Sequence, residues 1–344
     1  TLPTIYGELK SYTSYRFECA LRSSAILGFI GLPTLGYHLE TAFREGMYSE
    51  AAALLYSFYI LIALIRFWTG IKILLPVFIG AIFLTSWESS FSISNLIRFF
   101  TYDILPWPIR AEGYYNGTQT IAFPLSEIGI WALDVIKNLA LPGIWNTLLL
   151  TLISLVCTAL LTLLLFPPAS RQFYSTKTTG PFNLFLVILR TTPEYILAYI
   201  FLILLGPSML PAILALSLHN SGILGHITAR NSELLTLPFN STSKRINRFF
   251  YEVLPRSYGQ FLAVLFDRWE VIMRESAILG ILGITTLGHY IASSISNDHL
   301  DTALLLILVT AMLNMGIDSL SQLIRRRLSI SIHLSTYGPA KIKQ

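Results

Sequence analysis

Residues Arg268–Gly288, RWEVIMRESAILGILGITTLG, place four charged side chains directly before a glycine-punctuated apolar run. Residues Arg16–Gly36, RFECALRSSAILGFIGLPTLG, repeat this segment without a gap at a constant offset of 252 residues. Over Leu2–Gly36 and Leu254–Gly288 the two copies share 16 identities in 35 positions. Agreement of this extent predicts an internal duplication whose first copy is incomplete.

The composition is that of a membrane protein. Apolar residues make up 53% of the chain and charged residues 12%, with a mean hydropathy of +0.61. Soluble domains carry about 25% charged residues, so we predict an all-α polytopic membrane protein in contact with lipid. We attribute the formal net charge of +5 to basic residues on the cytoplasmic side, and we expect no nucleic-acid partner.

The apolar runs predict four regions, since about 20 such residues cross a bilayer. Residues 1–70 hold the C-terminal part of a first bundle, and 71–143 a connecting span and a periplasmic loop with an interfacial helix at 128–139. Residues 144–324 form a second bundle, and 325–344 a basic cytoplasmic tail. Six crossings between the copies predict parallel repeats. Because the chain begins inside its first repeat and without Met, we expect it to be the C-terminal portion of a longer protein.

Charges at membrane depth mark the candidate site. In a helix that begins at Leu254, Glu270 and Arg274 lie roughly 20 Å or more along the axis, and their spacing and order favour an ion pair. A charge at the bilayer centre costs at least about 2.5–3.5 kcal/mol, so these groups either brace neighbouring helices or line a watery path for an anion. The predicted path residues are Arg16, Glu18, Arg22, Arg268, Glu270, Arg274 and Glu275.

Glycines interrupt both copies and predict bends or re-entrant turns at membrane depth, which a covering protein or cavity must shield. The predicted gate or bend glycines are Gly28, Gly31, Gly36, Gly280, Gly283 and Gly288.

Other motifs argue against a cofactor or an enzyme. His219 and His226 are seven residues apart, but no Cys or carboxylate stands at metal-ligand spacing from them, so no metal site is predicted. The chain has no phosphate-binding loop and no nucleophile elbow. Any ATP hydrolysis is therefore expected on a separate subunit.

The repeated segments resemble the signature of phosphonate-type ABC importer permeases, R-[FW]-E-x-x-x-R-x-[ST]-x-[IVL]-L-G-x-x-G. Residues 188–227, ILRTTPEYILAYIFLILLGPSMLPAILALSLHNSGILGHI, are similar to the segment before that family's coupling loop. The resemblance implies type I importer bundles in a fused double-permease form, in a bacterial inner membrane. It further implies import of phosphonate, phosphite, hypophosphite or phosphate by alternating access, with two ATPase subunits and a periplasmic phosphonate-type binding protein as partners.

The resemblance also locates an ATPase-coupling loop. The family pattern E-A-A-x-x-x-G ends some nine residues later in I-x-L-P, and residues 239–255, FNSTSKRINRFFYEVLP, keep the Leu-Pro end but lack E-A-A. The family glycine is replaced by Thr242. The coupling residues implied are Glu233, Thr242, Lys244, Arg245, Leu254 and Pro255.

Two other functions are compatible with the residues alone. An ion-coupled secondary transporter of small anions would use the buried Glu and Arg residues and would need no ATPase. A membrane scaffold or enzyme subunit would have no cavity beside the charged helices.

Overall fold

The computed structural model describes the chain in segments. The described residues are 13, 17, 20, 24, 26–28, 31–64, 71–84, 92–110, 125–235 and 245–327. All regular secondary structure within these segments is helical, mostly α with short π and 3-10 turns. The predicted all-α class is therefore confirmed for the described part of the chain.

The chain forms two compact units, Thr1–Ile93 and Ser94–Gln344. The described helices of the first unit are α1 (Leu35–Arg44), α2 (Tyr48–Ala63) and α3 (Ile71–Leu84). The main helices of the second unit are α4 (Leu125–Val135), α5 (Leu141–Ala169), α6 (Thr176–Thr191), α7 (Glu194–Leu205), α8 (Leu210–Glu233), α9 (Leu254–Leu279), α10 (Leu287–Ser296) and α11 (Leu300–Arg327). Shorter helical segments are Ile93–Arg98 with a π turn at Phe99–Asp103, and Arg245–Asn247 with a π turn at Arg248–Val253.

Several of these helices are long and apolar enough to cross a membrane. Three do so singly, namely Leu125–Ala169, α8 and α11. Two pairs of helices are each long and apolar enough only when the two members are taken together as one bent span. Helices α6 and α7 meet at 90°, and the helical segment Arg245–Leu282 meets α10 at 43°. With these two pairs the described residues hold up to five spans. The predicted polytopic membrane class is confirmed by these spans.

The helix Leu125–Ala169 runs unbroken for 45 residues. The sequence predicts a separate interfacial helix at 128–139, but in the structure these residues continue into the span through a π turn at Ile136–Ala140. Pro142 follows this turn at the start of α5. Proline has no backbone N–H to donate within an α-helix. It is tolerated here because the preceding π turn interrupts the regular α-helical hydrogen bonding.

Helix α8 is the centre of the second unit, packing against α5, α6, α7 and α9. Small residues make this close approach possible, as at other helix contacts in membranes. At Gly222 an added Cβ would lie 2.8 Å from Leu189 Cβ and 3.0 Å from the backbone nitrogen of Arg190. The backbones of α6 and α8 therefore nearly touch where α6 ends.

Asp301 at the start of α11 binds the segment that contains Trp107 and Arg110. Its carboxylate lies 2.9 Å from the Arg110 guanidinium and accepts the backbone N–H of Trp107 at 2.9 Å. Both charged side chains are enclosed, 14% exposed for Arg110 and 2% for Asp301. This ion pair fixes the segment before residue 111 to the last helix.

Candidate functional site

The charged segment lies on α9, where two ion pairs hold two partly exposed acids. Glu270 and Arg274 pair at 3.3 Å one turn apart, and their side chains are 33% and 61% exposed. Asp267 pairs at 3.3 Å with Arg325, near the basic end of α11. The first pair leaves a guanidinium at the surface of this unit, and the second joins α9 to α11.

Arg268 is half-buried beside these pairs. Its Nε is shielded from solvent and has no hydrogen-bond partner within the described residues, and the same holds for the indole N–H of buried Trp269. An unsatisfied buried donor costs about 1–3 kcal/mol. These two N–H groups are thus suited to an acceptor such as an oxyanion.

Glu275 lies next to Arg274 in sequence but turns toward α8. One of its carboxylate oxygens accepts a hydrogen bond from the Asn220 amide at 3.0 Å. His219 is the adjacent residue on α8, and its Nε2 lies 3.9 Å from an oxygen of Glu194. The nearest ligand atoms of Glu194, His219 and Glu275 all lie within 4.8 Å of one another, and Glu194 and His219 are buried.

The break between α6 and α7 positions one side of this cluster. Thr192 is extended because the following Pro193 disfavours helical backbone in the residue before it. Helix α7 then begins at Glu194, where the positive end of the helix dipole stabilises a carboxylate. The Thr192 carbonyl, left outside both helices, lies 2.8 Å from His219 Nδ1.

That last contact assigns a role to each nitrogen of His219. A carbonyl oxygen only accepts hydrogen bonds, so Nδ1 carries the hydrogen that it donates to Thr192. Nε2, the nitrogen that faces Glu194, presents a lone pair in the neutral ring or a second N–H in the charged ring. The cluster is therefore equipped to bind either a proton or a cation.

Sequence spacing alone did not reveal this cluster, although it identified Glu275 as a candidate and singled out His219. The expectation of no metal site was based on distances along the chain. Glu194 and Glu275 are 25 and 56 positions from His219, and only the convergence of α7, α8 and α9 brings them together. The glutamate directly after a helix-breaking proline was the available clue.

The glycines of the second copy form a tight turn between α9 and α10. Gly283 has φ +84°, which favours glycine, and follows a 3-10 turn that begins at Gly280. A Cβ on Gly280 would lie 2.2 Å from the backbone nitrogen of His289, and one on Gly288 would lie 1.9 Å from the Ala277 carbonyl oxygen. The chain therefore bends back within backbone contact of itself.

The first copy has the same turn at the same offset. Gly31 has φ +97°, and a Cβ on Gly28 would lie 2.1 Å from the backbone nitrogen of Tyr37. Helix α1 begins at Leu35 and α2 at Tyr48, each 252 positions before the starts of α10 and α11. Gly36 is buried at the second position of α1. These matches support the duplication, which stays a prediction.

Two of the implied coupling residues contact the turn that follows α5. Glu233, the last residue of α8, accepts the backbone N–H of Arg171 at 2.9 Å. The Arg245 guanidinium lies 4.8 Å from the centre of the Tyr174 ring, within cation–π range. A hydrogen bond and a cation–π contact therefore join the end of α8 and the segment before α9 to the turn after α5.

Leu254 and Pro255 lie inside a continuous helical rod. The sequence predicts a helix that begins at Leu254, whereas the helical segment begins at Arg245 and passes through a π turn at Arg248–Val253. Pro255 is tolerated there because it occupies the first turn of α9 after that π turn.

The remaining predicted site residues lie outside the described residues. They are Arg16, Glu18, Arg22, Thr242 and Lys244.

No protein-family model matches the chain. The phosphate-import permease protein PhnE of Mycolicibacterium smegmatis is 26% identical over 329 residues, 91% of this chain and 60% of that protein. The chain is similar to a transport permease. The phosphite transport system permease protein PtxC of Stutzerimonas stutzeri is 29% identical over 153 residues, 43% of this chain and 55% of that protein.

These two relatives confirm the predicted resemblance to permeases. Both are named as permeases and not as enzymes, in agreement with the expectation from the motifs. The chain spans 60% and 55% of the lengths of the two relatives. Among solved structures, an amino acid ABC transporter with histidines matches at a TM-score of 0.47 and 18% identity, covering 60% of this chain and 100% of that one.

Proposed function

We propose that this chain is the membrane-spanning permease part of an ABC importer in a bacterial inner membrane. Its substrate is phosphonate or a related small phosphorus oxyanion, phosphite, hypophosphite or phosphate. The observation that carries the proposal is the charged segment of α9, conspicuous in a membrane helix, in a chain similar over 91% of its length to a phosphate-import permease. Two ATPase subunits and a periplasmic binding protein are the partners.

The exposed charges of α9 support a path function. Arg274 is 61% exposed although it lies on a helix of a membrane bundle. Exposure of a guanidinium to lipid is costly, so such residues face a watery cavity or a partner. Arg274 and the buried N–H of Arg268 together supply the positive charge and the donor that an oxyanion path requires. Alternating access would expose this path to either side in turn, driven by ATP hydrolysis on the partner subunits.

The contact surface around Glu233 and Arg245 supports the coupling part of the proposal. Both residues belong to the basic stretch 228–254 of the sequence, and both contact the turn after α5. Lys and Arg concentrate on the cytoplasmic side of membrane proteins, the side on which an ATPase docks.

The test is uptake of labelled phosphite or phosphate by cells that contain the chain with its ATPase and binding protein. Arg274→Ala should reduce uptake at least about tenfold with normal membrane insertion, because a loss of about 1.4 kcal/mol corresponds to a factor of ten. Arg98→Ala, which removes an exposed arginine outside α9, is the matched control and should leave uptake unchanged. Wild-type uptake by the Arg274 variant would refute the role of that residue.

An ion-coupled secondary transporter is the second candidate, favoured by the buried Glu194 and His219 and the half-buried Glu275, since intramembrane acids and histidines form proton relays. Vesicles distinguish the two functions. Uptake that requires ATP and the ATPase subunits supports the importer. Uptake that an ionophore abolishes in the absence of ATP supports ion coupling.

A further inference from the structure

We propose that Glu194, His219 and Glu275 bind one divalent transition-metal ion in the core of the second unit. The buried carboxamide oxygen of Asn220 would provide a further ligand. This site is independent of which anion the protein transports.

The ligand atoms are close to coordination geometry. Zinc lies about 2.0–2.2 Å from nitrogen and oxygen ligands, so tetrahedral ligand atoms are about 3.4 Å apart. His219 Nε2 and the Glu194 oxygen are 3.9 Å apart, and no pair in the cluster exceeds 4.8 Å. Shifts of about 0.5 to 1.4 Å close the set. Rotation of carboxylate side chains supplies movements of that size.

The groups around the ligands are already arranged to orient them. A metal-binding histidine donates its other ring N–H to a carbonyl or carboxylate, and His219 donates Nδ1–H to the Thr192 carbonyl at 2.8 Å. Glu275 accepts the Asn220 amide at 3.0 Å, which fixes one of its oxygens. Both contacts hold the ligands in place.

Asn220 gives an independent indication of a ligand. The residue is fully buried, and its amide nitrogen uses both hydrogens, one on Glu275 and one on the Leu216 carbonyl at 3.0 Å. The assignment of the amide is therefore fixed, and the remaining atom is Oδ1. That oxygen is buried and has no hydrogen-bond partner within the described residues. A cation beside Glu275 would satisfy it.

The donor set selects the class of ion. Imidazole nitrogen suits zinc, iron and similar ions, whereas calcium and magnesium prefer oxygen ligands alone. A divalent ion also balances the charge of two carboxylates in a low-dielectric interior, where charges need compensation. The ion would join α7, α8 and α9 at the 90° break between α6 and α7.

The test measures metal content of the purified full chain in detergent, without any affinity tag, after chelator treatment and loading with Zn²⁺ alone. We expect about one Zn²⁺ per chain, and Co²⁺ in its place should give the visible absorption of a low-symmetry site. His219→Gln should weaken Zn²⁺ binding at least about 100-fold, since even second-sphere changes cost 10–100-fold.

His226→Gln is the matched control, the same change two turns along α8, and should retain the ion. Glu194→Gln keeps the shape of the side chain and should also lose the ion. The variant protein should still elute from gel filtration as a single species. Metal at trace level in the wild type would overturn the proposal and identify the cluster as an ion pair. Equal retention by the His219 and His226 variants would overturn it as well.

Discussion

Replacement of Gly288 by alanine tests the close backbone crossing between α9 and α10. The new Cβ would lie 1.9 Å from the Ala277 carbonyl oxygen and 2.7 Å from its carbon. Real contacts of this kind do not fall below about 3.0 Å, so the two helices must separate by roughly 1 Å. Overpacking a tight interior costs about 1–3 kcal/mol, and backbone atoms on both sides place this site at the upper end.

Alanine also gains about 1 kcal/mol over glycine in helix propensity, which offsets part of the cost. We therefore expect Gly288→Ala to destabilise the second unit by about 2 kcal/mol and lower its apparent melting temperature by about 4–8 °C. Thermal unfolding in detergent followed by circular dichroism measures the effect. Gly259→Ala is the control on α9, where an added Cβ meets nothing within 4 Å, and it should be neutral or stabilising. Equal melting temperatures for both variants would refute the close crossing.

Two further predictions concern ion pairs of different burial. Arg110→Met leaves the buried Asp301 carboxylate without its counter-charge and should destabilise the unit by about 3–5 kcal/mol in thermal unfolding. Adding Asp301→Leu to the same chain should restore part of this loss. A double variant that is less stable than the single one would contradict this account. Asp267→Asn breaks the half-exposed pair with Arg325 and should cost less than about 1 kcal/mol, an effect that disappears in high salt. A large, salt-independent loss would show that this pair is more enclosed than its exposure indicates.

Local sequence predicts those features of the fold that depend on neighbouring residues. The apolar spans follow from composition, and the turn at Gly283 follows from a glycine-rich break. The pairing of Glu270 with Arg274 follows from their spacing of one helical turn. These features need no knowledge of what packs against them.

Other features depend on tertiary packing and were not predictable in this way. The polar residues Asp134, Lys137 and Asn138 and the following Pro142 indicate a helix break, but a π turn lets one helix continue through all of them. The inward turn of Glu275, next to the outward Arg274, depends on the position of Asn220 on another helix. The direction in which a charged side chain points, into the bundle or out of it, is therefore not determined by its neighbours in sequence.

The unbroken helix Leu125–Ala169 has a mechanical consequence. At 1.5 Å per residue its 45 residues measure about 67 Å, whereas a bilayer with its headgroups is about 40–45 Å thick. When such a helix crosses along the bilayer normal, about 20 Å of it, roughly a third of its length, stands outside the membrane. A rigid lever of that length converts a small sideways push at its free end into a tilt at the membrane-embedded end, beside α8 and α9.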